Sequence, residues 1–140
     1  MILKFFNKDN KLDNDTDLIN VACLMIHAAK IDENYTDKEK KIIKETLTKL
    51  GNNEDLDKLI SEAGKKESDS NHIQDFTKNI KAMDENDKIE IIKNIWSIIL
   101  SDGASDIYEE NLMRRLAGLL YVDAKIMGDI KLDIQAKQKK

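Results

Sequence analysis

The chain has 140 residues and a mass of 16.1 kDa, one domain's worth of polypeptide that hides about two thirds of its unfolded surface without a metal or disulfide staple. Hydrophobic residues at 41% and charged residues at 36% exclude both a disordered polymer and an integral membrane protein, and a net charge of −4 disfavours nucleic acid as a partner. The absence of proline and the presence of only 5 glycines leave too few breakers for a sandwich or barrel and favour an all-α protein.

Residues 1–13 read as an N-terminal arm in which Phe5 and Phe6 dock on the body, and 14–140 as a single helical domain. The apolar start, Met1 to Phe6, is too short for a secretory core and no small-residue cleavage site follows it. No window reaches the roughly 18 consecutive apolar residues of a spanning helix, so no transmembrane segment is expected. The expected location is the cytoplasm, with a peripheral membrane position left open.

From Asp15 to Lys30, the positions Leu18, Val21, Ala22, Met25, Ile26 and Ala29 keep the i, i+3, i+4, i+7 rhythm of a helix with one buried stripe. Cys23, the single cysteine, lies in that apolar run and reads as a core thiol. The second helix opens at Thr36-Asp37-Lys38-Glu39, where threonine and glutamate can cap each other's backbone N–H groups, and stops before Gly51. A third is expected from Asn53 to Lys66, a polar break from Glu67 to Asn71, and a fourth helix from His72 to Met83. The fifth, Glu85 to Ser101, is apolar around most of its circumference and is therefore expected at the centre of a bundle. The sixth starts at Asp106 with glutamate three residues on and runs to Tyr121; the seventh opens after Asp123 and ends among lysines that suit its carboxyl-terminal dipole.

An offset of 70 residues lays Asp32 on Asp102, Thr36 on Asp106 and Glu39 on Glu109, with apolar positions matching on both sides. A compact bundle of about seven helices is expected, containing two pseudo-symmetric helical hairpins, with helices three and four as connectors and the seventh as a lid.

Asp32 and Asp102 each follow the carboxyl end of an apolar helix, where unpaired carbonyls make a carboxylate unfavourable by about 0.3–1 kcal/mol unless a cation compensates. Two cations are open to them. One is a basic side chain, with Arg114 and Arg115 as candidates; the other is a hard divalent ion, Ca²⁺ or Mg²⁺, held by Asp32, Glu39, Asp102 and Glu109. For Glu39 and Glu109 a capping box alone accounts for the residue type. An EF-hand is excluded, because its sixth and twelfth loop positions fall on Asp37 and Ile43, and in the second unit on Ile107 and Met113.

Soft-metal chemistry lacks a ligand spacing: Cys23, His27 and His72 are too few and too scattered. Cys23 and His27 form an i, i+4 pair with nothing to orient the imidazole, and the isolated glycines make no phosphate cradle. No enzymatic activity is expected. Trp96 reads as core, with an N–H that needs a partner.

The second unit, from Ser101-Asp102-Gly103 through Leu112-Met113-Arg114-Arg115-Leu116-Ala117-Gly118-Leu119-Leu120-Tyr121-Val122, resembles the TerB-like family of tellurite-resistance domains, and the likeness extends from about Asp17 to Asp133. The resemblance implies a compact all-α bundle, a bacterial stress or envelope-linked setting, acidic residues that bind metal, and no settled enzymatic activity. A related domain occurs attached to a co-chaperone J-domain, so the resemblance equally implies a protein–protein adaptor without metal.

Overall fold

A computed structural model describes residues 15–31, 36–51, 55–102 and 106–138, which form seven α-helices. They are α1 (Asp15–Lys30), α2 (Asp37–Leu50), α3 (Leu56–Asp69), α4 (Gln74–Ile80), α5 (Glu85–Ile99), α6 (Ile107–Leu120) and α7 (Ala124–Gln138), with a 3₁₀ turn, Leu100–Asp102, closing α5. The expected arm and its Phe5 and Phe6 lie outside the described residues.

Local chemistry sets most of the helix ends. Both expected capping boxes form. The Thr36 backbone N–H donates to Glu39 Oε1 at 2.8 Å while the Glu39 N–H donates to Thr36 Oγ1 at 3.2 Å. At α6 the Asp106 N–H donates to Glu109 Oε1 at 3.0 Å and the Glu109 N–H to Asp106 Oδ1 at 2.8 Å. Helix α3 begins and ends three residues later than expected. Asp55 supplies its cap by accepting from the Lys58 N–H at 3.1 Å, and Glu67, expected in a break, continues the helix because its carboxylate is held by α1. Helix α4 is shorter than expected at both ends, as Ser70 meets the Asp75 carboxylate before it and a turn from Ile80 to Met83 follows it. Tyr121 closes α6 in the left-handed region, φ 59°, which lets the Val122 N–H reach the Ala117 carbonyl at 2.9 Å.

The centre of the bundle is occupied differently from the expectation. Helix α1 packs against α2, α3, α4 and α5, and it is buried around nearly its whole circumference between Leu18 and Ala29. Its sequence shows one stripe, yet off that stripe the side chains of Cys23 and Ala28 are small enough for neighbours to approach from the other sides as well. Helix α5 shares the centre by packing on α1, α2 and α7. Nor is α3 a mere connector, since it lies along α1, and α7 is a member of the bundle that buries Met127 and Ile130 against α5 and α6.

Packing α1 and α5 at the centre also buries polar groups, and two of them find partners across a helix interface. Asn20, 1% exposed, accepts from Lys66 Nζ of α3 at 2.6 Å. Lys88, 7% exposed, donates to the Leu120 carbonyl at 3.0 Å and so satisfies the carboxyl end of α6. Trp96 is core as expected, but among the described residues its Nε1 has no hydrogen-bond acceptor; Lys131 Nζ lies 5.4 Å from its ring centroid, a cation–π contact that offsets part of that loss.

Cys23 Sγ donates to the Ala63 carbonyl at 3.3 Å, locking α1 to α3. Burial pushes its thiol up to about 11; the charge of Lys66 draws it down by less and that of Glu67 adds to the rise. The thiol therefore stays protonated at neutral pH and is poorly nucleophilic. Iodoacetamide at pH 7.5 is expected to leave Cys23 unmodified in the native protein and to alkylate it fully in urea, as read by intact mass; rapid native alkylation would contradict this packing.

Candidate functional site

The paired acidic corners follow α1 and α5. Asp32 lies outside the described residues, and of Asp102 only the backbone, the last residue of the 3₁₀ turn, is described. Glu39 and Glu109 are buried, 3% and 4% exposed, and each devotes Oε1 to its capping box. Among the described residues no group of three or more His, Cys, Asp or Glu side chains is placed to hold a metal ion.

The flanks of the two corners do meet. Lys38, on the first turn of α2, donates from Nζ to the Ser101 carbonyl at 3.1 Å, so the start of the helix after the first corner touches the end of the helix before the second. The reciprocal flanks also adjoin: Ile31, which precedes the first corner, and Tyr108, which follows the second, line one cleft of about 460 Å³. These two contacts bring the amino ends of α2 and α6 and the carboxyl ends of α1 and α5 to one end of the bundle.

Three basic side chains stand near this end. Lys38, which no sequence feature singled out, supplies a cation to the carbonyl end of α5. Arg114 instead donates from Nη1 to Asn111 Oδ1 at 3.2 Å, and Arg115 lines the cleft without an ion pair among the described residues.

On the α1 side, His27 Nδ1 donates to Glu67 Oε2 at 3.1 Å and Lys30 Nζ donates to Glu67 Oε1 at 2.8 Å. Burial alone would raise the Glu67 carboxyl, but hydrogen bonds and charge from Lys30 and His27 outweigh it and hold the group below the usual carboxylate range. His27 is thus oriented by a carboxylate rather than by Cys23, whose thiol is spent on Ala63. The i, i+4 thiol–imidazole couple does not form.

The family model of the tellurite resistance protein TerB matches residues 18–132, from the first buried leucine of α1 to the middle of α7. The chain belongs to the TerB family. Members are non-catalytic stress-response domains, and the seven-helix bundle described above is consistent with that fold. Comparison with curated proteins and with solved structures gives no significant match. No described helix of this TerB domain is long and apolar enough to cross a membrane.

Proposed function

We propose that this TerB domain holds a divalent cation, Ca²⁺ or Mg²⁺, at its paired acidic corners through Asp32, Glu39, Asp102 and Glu109, and that occupancy of the site tunes a surface for a protein partner. The observation that supports it is the Lys38–Ser101 contact, which ties the helix ends flanking the two corners together across 63 residues of sequence. Carboxylates and helix-end carbonyls are hard oxygen donors, matching Ca²⁺ and Mg²⁺ rather than softer metals. Glu39 and Glu109 are already ordered by their capping boxes and lose little further side-chain entropy on binding. When bound, the cation would offset repulsion among the carboxylates and the negative carboxyl ends of α1 and α5. Binding to the folded state alone then stabilises it by mass action.

Thermal unfolding in the presence of millimolar Ca²⁺ or Mg²⁺ tests this. At a cation concentration 100 times Kd, stabilisation of about 2.7 kcal/mol is expected. For a chain of this size that raises the melting temperature by about 10 °C, and Asp102→Asn should lose most of the rise. An unchanged wild-type melting temperature, or an equal rise in Asp102→Asn, would refute the cation site. The alternative, a metal-free interaction adaptor, is favoured by the exposed Ile107 and Tyr108 beside the second corner, 68% and 71% accessible; it requires partner capture that is indifferent to chelator.

A further inference from the structure

The cleft between α1 and α6 has a composition that capping and core packing do not explain. One wall is a single stripe of α6, Tyr108, Asn111, Leu112 and Arg115, spaced i, i+3, i+4, i+7; the other is His27 and Ile31, one turn apart at the end of α1. Its volume, about 460 Å³, lies within the range of small-molecule pockets. Ile31 and the buried Leu112 provide an apolar floor, and the exposed Tyr108 ring forms part of the rim.

The polar groups converge on one kind of recognition. Arg115 presents a guanidinium with no ion pair among the described residues, in a chain whose acidic residues outnumber its basic ones, 27 to 23. Asn111 has its oxygen turned to Arg114, which leaves its amide N–H groups as the donors it can offer. A planar guanidinium fork matches a carboxylate in a bidentate pair. A dianion such as phosphate is less suited here, because the Glu67 carboxylate stands behind His27.

We infer that this cleft is a binding site for an amphipathic monocarboxylate, with the carboxylate on Arg115 and Asn111 and an apolar body laid over Ile31 and Leu112 against the Tyr108 ring. Such a group is found in a free aryl- or alkyl-carboxylic acid and in the carboxyl-terminal residue of a peptide ending in a large apolar side chain. The site stands independently of the cation proposal.

The test is an amide-resolved NMR titration of the full chain in EDTA, with two probes: 4-phenylbutyrate, and an N-acetylated dipeptide, glycyl-phenylalanine, with a free carboxylate. Saturable shifts centred on Ile31, Tyr108, Asn111 and Arg115 are expected with at least one probe, and the probe that binds assigns the source of the carboxylate. Affinity should fall tenfold or more when that probe's carboxylate is replaced by an amide, and equally in Arg115→Gln. Lys93→Gln, in a separate cleft between α5 and α7, should change nothing. Absence of saturable shifts with both probes, equal binding of the amide, or unchanged affinity in Arg115→Gln would each overturn the assignment. Because chelator is present throughout, failure here leaves the cation proposal untouched, and the converse holds.

Discussion

Ile92→Ala is expected to destabilise the domain by about 2–5 kcal/mol, through lost transfer free energy and the cavity left in a site that cannot collapse. Ile92 is fully buried on α5, the helix that packs against α1, α2 and α7 at once, so no single neighbour can move in without leaving a gap elsewhere. Leu132→Ala is the matched control. It removes an apolar side chain from α7 that is 64% exposed, and its effect should stay within about 0.5 kcal/mol. Urea unfolding at constant slope measures both. Equal losses at the two positions would mean that the buried and exposed faces of the bundle are assigned wrongly.

A second large effect is expected at Glu67, where one carboxylate joins α3 to His27 and Lys30 of α1. Glu67→Gln removes two charge-assisted hydrogen bonds between these helices, and a loss of about 1–3 kcal/mol is expected near neutral pH. The sign of the pH dependence follows from the direction of its titration. The folded-state carboxyl is held below its ordinary value, so its stabilisation is fully present above the unfolded-state titration and is lost as pH falls through the folded-state one. The difference in stability between wild type and Glu67→Gln should therefore be greatest at neutral pH and shrink as the medium is acidified through the depressed folded-state titration. A difference that persists unchanged into acid would assign the effect to packing instead of charge.

Elements whose determinants lie within one helical turn were legible from residue order. Thr36 with Glu39 and Asp106 with Glu109 close their capping boxes as expected, and α1, α2, α5, α6 and α7 begin where caps and apolar spacing place them. The candidate site was less legible. Glu39 and Glu109 are engaged in the caps that their spacing alone implies, and Arg114, a candidate cation beside Arg115, donates to Asn111. The cleft residues carried no recognisable signal, because Tyr108, Asn111, Leu112 and Arg115 share a face only once α6 is helical, and they face His27 and Ile31 only once α6 stands beside α1.

By itself, the order of residues determined an all-helical domain, its two capped corners and its buried cysteine, because these rest on composition, on periodicity and on hydrogen bonds between residues three or four apart. Only the tertiary structure decided that α1 shares the centre with α5, that α3 runs on through Glu67, and that Lys38 reaches Ser101. Those outcomes depend on which apolar faces meet and how closely small side chains let them approach, and such contacts between residues 40 and 63 apart leave no trace in local sequence pattern.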